Sequence, residues 1–328
     1  MKIVLHIGAD KTGTTAIQQF LAQNIELLNS ARIEYPNILP NDIYPRAHGW
    51  AAIDGINVNG NGYPLFEDFS LLQKIVNTLI LDPINHNKTF IFSSERLLKT
   101  FADEFTWNNL AQISESNNVK IAIIAYCRDA IPYLASMYTE QIKSAGESRK
   151  FSEYISGVPT NPDLAPHFQY FPQILQLSRN FPQLEFSIFR YETYKKDLAE
   201  HFLLAATNST LLGVLPPKGD ANRSLTNLEG NFLVGLNEVN PDLGRQIGWR
   251  ITALPAIDDR KLTISEGDIG DAKPLCEDYV SAMRKLVLGS ESPEIGDLDS
   301  NPDSSFRYGN EQIHQLGKFI GNFIKDGK

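Results

Sequence analysis

Cysteine is nearly missing from this sequence. Its 328 residues contain two, Cys127 and Cys276. No dense cysteine pattern exists, which argues against a disulfide framework and fits a reducing cytoplasmic setting. Cysteine and histidine also lack metal-ligand spacing, so no metal is expected. Cys127 closes an apolar run and reads as a buried core thiol. Long hydrophobic runs are missing too: stretches such as Ile121 to Cys127 are far too short to span a bilayer. The N-terminus does not read as a signal peptide, because its apolar run is short and glycine and charge follow at once. Positive charge is not in excess either. Net charge is −9, so a nucleic-acid partner is not expected. Internal repeats and low-complexity tracts are absent.

What remains is an ordinary globular composition, 42% apolar and 21% charged. The length suffices for a substantial core, in one large or two small domains. Apolar stretches at 3–7, 31–36, 88–94, 119–126 and 184–190 read as strands. Helical periodicity fills 14–29, 71–81, 107–116, 133–145, 168–179 and 198–207. This alternation predicts an α/β fold with a central parallel β-sheet flanked by helices. Residues 37–64 are rich in Asn, Gly, Pro and Asp and read as a long loop able to wall a cleft. Residues 150–166 read as irregular. Beyond 225 the pattern is less legible, with helices expected at 228–237, 275–287 and 310–324 around an acidic stretch at 289–305. The chain is read as a single domain, 1–328, with a core over 1–225 and a mainly helical addition over 226–328.

The first twenty residues organise this chain. A buried strand ends at Gly8, a turn follows, and Ile17, Phe20, Leu21 and Ile25 mark a helix face. Strand, glycine turn and helix N-terminus together form an anion site, because unpaired N–H groups and the helix dipole converge there. Gly8 and Gly13 allow the backbone to curl around a phosphate-like group. A nucleoside-triphosphatase loop would carry lysine where Thr14 stands. Here the lysine is Lys11. Against the negative net charge, Lys11 and Arg128 would have to make the site locally basic.

Lys11-Thr12-Gly13-Thr14-Thr15 resembles the 5′-phosphosulfate loop of the sulfotransferase family, and the longer string from His6 to Leu21 closely resembles a bacterial branch of it. That resemblance covers roughly residues 1–225. It implies a P-loop-like three-layer α/β/α fold and the cofactor 3′-phosphoadenosine 5′-phosphosulfate (PAPS), with 3′,5′-adenosine bisphosphate as product. It implies cofactor contacts from Gly8, Lys11, Thr12, Gly13, Thr14 and Thr15, with Lys11 stabilising charge on the bridging oxygen or the sulfuryl oxygens. Arg128 follows the fourth strand and Ser136 lies eight residues on, a spacing that resembles the family's 3′-phosphate site. The alternative is a surface pair between Arg128 and Asp129 or another carboxylate.

For the general base the resemblance leaves two candidates, His48 in the long loop and Glu95 after the third strand. Loop histidine and structural anchor are the respective alternatives. Phe189 to Leu198 resembles a segment whose Glu192 organises the family fold. Residues 217–225 resemble a cofactor-side loop, from which Arg223 or Lys218 would reach the 3′-phosphate. Trp50 and Trp249 could stack on an adenine or a sugar, or serve as core or rim aromatics. The animal enzymes' R-K-G-x-x-G-x-W-K stretch is absent, which leaves the adenine lid undefined. The implied activity is in-line sulfuryl transfer to a hydroxyl or amine of a small-molecule or glycan acceptor, carbohydrate by family habit. A P-loop small-molecule kinase and a non-catalytic nucleotide-binding module are the alternatives. Oligomeric state is not legible.

Overall fold

Five short apolar stretches pair into one sheet in the computed structural model, which describes residues 1–35, 79–95, 97–216, 223–256 and 266–284. The strands are β1 (Lys2–His6), β2 (Ile33–Glu34), β3 (Thr89–Ser93), β4 (Lys120–Cys127) and β5 (Glu185–Arg190). Every pairing is parallel, in the order β2-β3-β1-β4-β5. The helices are α1 (Thr14–Gln23), α2 (Ile25–Ser30), α3 (Leu97–Thr100), α4 (Glu104–Asn117), α5 (Ala130–Ser144), α6 (Phe151–Ser156), α7 (Pro166–Ser178), α8 (Tyr191–Tyr194), α9 (Leu198–Thr207), α10 (Asn227–Val239), α11 (Pro241–Ile251) and α12 (Glu266–Arg284). This is the parallel α/β sheet with flanking helices that the alternation predicts. Among the described residues no helix is long and apolar enough to cross a membrane.

Strand side chains alternate between two faces. Register aligns Val4 with Ile91 on one side and with Ala122 on the other. Together with Ile124 and Tyr126 they pack on Ile17, Phe20 and Leu21 of α1 and Phe202 of α9. The opposite face presents Ile3, Leu5, Phe90, Phe92, Ile121 and Ile123, all buried. Trp107 of α4 stands edge-on to Phe186 of β5 at 5.8 Å and stacks on Phe181 at 5.9 Å. Its Nε1 donates to the Phe101 carbonyl at 2.8 Å, so the buried indole leaves no polar atom unsatisfied. Truncating such a residue to Ala costs about 3–5 kcal/mol.

Contacts group the chain into two units. One gathers Met1–Ala130, Ala165–Gly219 and Leu275–Ile295, and holds the sheet. The other gathers Ile131–Leu164, Asp220–Pro274 and Gly296–Lys328. In this second unit a capping box opens α10: the Thr226 hydroxyl accepts from the Glu229 N–H, and the Glu229 carboxylate accepts from the Thr226 N–H. Asn237 ends the buried face of α10 and donates from Nδ2 to the carbonyls of Ile142 and Glu147, at 3.0 and 2.8 Å.

Three expectations change. The stretch 150–166 contains α6 and a 3₁₀ turn, Pro162–Leu164. Phe151, Tyr154 and Ile155 bury one face of α6, a spacing that the nearby prolines obscured. One helix expected over 228–237 is followed directly by another, α11, because Pro241 takes its first turn and Asn240 accepts from the Leu243 N–H at 3.1 Å. The helix expected from Leu275 begins at Glu266 and continues through Pro274. The loop 37–64, nearly all of 71–81, and the stretches 289–305 and 310–324 lie outside the described residues.

Candidate active site

Chain order reverses beside β1. From β1 the chain proceeds to β2 and β3 on one side, whereas β4 leads to β5 on the other. The carboxyl ends of β1 and β4 therefore flank the crevice where parallel sheets take ligands. The loop after β1 is Ile7 to Gly13. The residue after β4 is Arg128.

The loop begins as an extension of the sheet. Ile7 and Ala9 donate to the carbonyls of Ile124 and Tyr126 at 3.0 and 3.4 Å, and Tyr126 donates to Gly8 at 2.8 Å. It then turns sharply. Gly8, Lys11 and Gly13 have φ of 94°, 62° and 77°. A non-glycine residue at such a φ is uncommon and marks a place to look for function. Positive φ recurring along so short a run shapes a concave row of backbone N–H groups, the form that binds anions.

At Gly13 the loop becomes α1. No side chain caps this helix and no acidic residue occupies its first turn. The N–H groups of Thr14, Thr15 and Ala16 have no acceptor within the helix, because the Gly13 carbonyl first accepts from Ile17 at 3.1 Å. The positive end of the dipole is thus left to whatever anion arrives. The threonine hydroxyls divide. Thr12 and Thr14 donate inward to the Ala9 carbonyl at 2.6 and 3.2 Å, which braces the loop. Thr15 is partly exposed.

Arg128 reaches across. Its Nη1 donates to the Lys11 carbonyl at 3.2 Å, and its Nε lies 3.4 Å from Glu192 Oε1. The side chain is 24% exposed, so a dissolved anion can reach it. The guanidinium also lies over the Tyr191 ring, 5.5 Å from its centroid. Asp129 does not pair with Arg128. It takes a bidentate pair from Arg190 at 2.9 and 2.7 Å, while its own N–H donates to Glu192 at 3.1 Å. Burial, then the neighbouring Asp129 carboxylate, hold the Glu192 carboxyl above the usual carboxylate range. Cys127 is buried beneath, and desolvation pushes its thiol up, away from reactivity.

Glu95 comes to the loop. A Cβ at Gly8 would stand 2.8 Å from the Glu95 Cα. Ser136 lies on α5, partly exposed, in the second unit. Arg223 is heavily committed there. It forms a double ion pair with Glu229 at 2.8 and 2.7 Å and donates to the carbonyls of Ser224, Ile251 and Leu254. Trp249 is half-exposed and carries the Lys143 ammonium 4.5 Å from its ring centroid. His48, Trp50 and Lys218 lie outside the described residues.

One residue near the loop carried no signal in the sequence. His167, in the first turn of α7, is fully buried. Burial holds its imidazole well below the usual value. The Asp10 backbone opposes that shift and the Arg128 charge adds to it. A neutral histidine thus stands near both the loop and the arginine. Nothing in its spacing from Gly8 or Arg128 ties it to them; only the fold does.

The family model described as a sulfotransferase domain matches residues 2–203 of this chain. The chain belongs to the sulfotransferase family. Comparison with curated proteins returns no match. The matched span takes in all five strands found among the described residues of the sulfotransferase, the loop after β1 and Arg128. Sulfuryl transfer is the chemistry of this domain.

Proposed function

We propose that this sulfotransferase uses PAPS as donor and passes the sulfuryl group to a hydroxyl or amine of a small-molecule acceptor, of carbohydrate class, in the cytoplasm. The observation that carries this reading is the run of positive φ at Gly8, Lys11 and Gly13 opening onto an uncapped α1. That cradle suits a tetrahedral oxyanion. The lysine, the arginine and the backbone N–H groups are donors, which suits the oxygens of a phosphosulfate nucleotide.

PAPS supplies the activated sulfuryl group. Gly8, Thr12, Gly13, Thr14 and Thr15 would bind and orient it through the backbone and through Thr15. Lys11 would stabilise negative charge that grows on the leaving oxygen, an interaction strongest in the transition state. Arg128 would grip the 3′-phosphate through paired hydrogen bonds, exchanging its contact with Glu192. Ser136 is assigned to the same phosphate on its spacing from Arg128 alone. Arg223 would serve there only by giving up bonds to Glu229 or to carbonyls. His48 or Glu95 would accept the acceptor's proton. Residues 226–328, beyond the family match, are assigned to acceptor choice.

The test is transfer from sulfur-labelled PAPS to a panel of glycan, phenol and amine acceptors. Label should move to at least one class, and Lys11→Ala should abolish the transfer. Activity retained in Lys11→Ala, or transfer of a labelled γ-phosphate from ATP instead, would overturn the reading.

A further inference from the structure

Two polar residues of the opening string, His6 and Gln18, take no part in the anion cradle. Both are buried, at 0% and 3% exposure. Burying such groups is costly unless they are hydrogen-bonded, so their partners reveal why they are there. Both go to one residue. His6 Nδ1 and Ser93 Oγ share a hydrogen bond of 2.7 Å, and Gln18 Nε2 donates to the Ser93 carbonyl at 3.0 Å. A third bond continues the line, from the Ser94 N–H to the His6 carbonyl at 2.9 Å. The next residue is Glu95, whose Cα lies against Gly8 so closely that a Cβ there would stand 2.8 Å away.

We propose that His6 and Gln18 act as a pair of positioning residues, locking the Ser93–Glu95 turn to the phosphate loop so that Glu95 stands beside the anion cradle. The geometry is economical. His6 ends β1, one residue before the loop, and Gln18 lies on the helix that the loop opens. Both segments flanking the cradle thus hold the same serine, one through its hydroxyl and one through its carbonyl. Movement of the turn away from Gly8 would break both bonds and leave a buried histidine and a buried amide unpaired. Glycine at position 8 is the third part of the device, because any side chain there would push Glu95 away. The imidazole ring is packed between Tyr126 and Phe202, with centroids 5.9 and 5.1 Å away. It is therefore held by walls on a side where it makes no polar contact: its Nε2 is buried without a hydrogen-bond partner.

This inference rests on the proposed role of Glu95 at the sulfuryl-transfer site, and the test separates the two. Ser93→Ala removes the His6 bond, and Gln18→Met removes the other. Hydrogen exchange read by mass spectrometry on the intact protein should accelerate about tenfold or more at Ser94 and Glu95 in both variants, with β1 and β4 unchanged. Unchanged exchange at Ser94 and Glu95 would overturn the clamp whatever the activity. The second readout is release of sulfate from PAPS, with water as acceptor: the sulfur–oxygen bond to the nucleotide breaks, one to water oxygen forms, and a carboxylate takes the proton. The release rate should fall about tenfold in Ser93→Ala, while affinity for 3′,5′-adenosine bisphosphate changes by less than about threefold. In a Glu95→Gln background Ser93→Ala should have no further effect on that rate. If the two rate losses add independently, Ser93 does not act through Glu95 and the positioning role is wrong. If Glu95→Gln keeps the full rate, the proposed role of Glu95 fails, and the positioning role with it, while accelerated exchange would still establish the clamp.

Discussion

Arg128 donates from Nη1 to the backbone carbonyl of Lys11 at 3.2 Å, across 117 positions of sequence. The residue after β4 thereby touches the loop after β1 at the reversal of strand order. The guanidinium holds the loop at the residue with positive φ, and in the proposed reading it also presents charge to the nucleotide. Arg128→Ala should therefore weaken binding of 3′,5′-adenosine bisphosphate about 10- to 100-fold, since hydrogen bonds to charged groups contribute about 1.5–3 kcal/mol. Arg128→Lys should recover only part, because an ammonium cannot reproduce the planar fork. Fluorescence or calorimetric titration measures both.

Gly8 and Gly13 should differ in their tolerance of alanine. Both have positive φ, and strain alone costs about 1–2 kcal/mol. At Gly8 the new methyl would meet the Glu95 backbone at 2.8 Å, where nothing can swing aside. At Gly13 it would meet the methyl end of the Leu198 side chain, which can move. Gly8→Ala should lose about 3 kcal/mol or more and Gly13→Ala about 1–2 kcal/mol in urea unfolding. Equal losses would show that the approach of Glu95 to Gly8 is looser than described.

Acid should unfold the protein through its buried histidines. Burial lowers the His6 pKa to about 3, and His167 is also held well below the ordinary value. A depressed pKa means that the folded state prefers the neutral ring. The stability this represents is complete above the unfolded value near 6.5, and is lost as pH falls from there toward the folded value. Each such histidine contributes a slope of about 1.4 kcal/mol per pH unit in that window. Glu192 works in the opposite direction, since its raised pKa favours the protonated form as pH falls. Urea unfolding from pH 7.5 to 5 should thus show stability falling with acid, and His6→Gln should flatten the profile. A profile flat in both proteins would exclude buried neutral histidine as the cause.

The Arg223–Glu229 pair should be a matter of stability. Glu229 is fully buried, so removing the arginine strands a charge and costs about 3–5 kcal/mol. Arg223→Ala should lower the unfolding midpoint strongly while the folded fraction binds the bisphosphate with near-native affinity. A tenfold or greater loss of affinity in that folded fraction would assign Arg223 to the 3′-phosphate as well.

The sheet was the legible part of this chain. Strands β1 and β4 are buried on both faces, so Ile3 to Ile7, apart from His6, and Ile121 to Cys127 read as apolar runs with clear ends. The glycine turn was legible because positive φ restricts the residue type. Partners were not. Nothing local says that His6 and Gln18 meet at Ser93, that Arg128 chooses Glu192 while Asp129 chooses Arg190, or that His167 stands near Asp10. Those contacts join segments brought together only by the parallel crossovers. Helix α6 was missed for a different reason: it is short, and Pro159 and Pro162 just beyond it resemble loop punctuation.

The central claim is that the cradle after β1 and Arg128 together bind a nucleotide carrying phosphates at both the 5′ and 3′ positions. Titration of the full chain with 3′,5′-adenosine bisphosphate, 5′-AMP and ATP with magnesium measures this directly. The expected result is bisphosphate affinity at least about tenfold above that for 5′-AMP, corresponding to about 1.4 kcal/mol, with no dependence on magnesium. Equal affinity for bisphosphate and 5′-AMP, or strongest binding by ATP with magnesium, would contradict it.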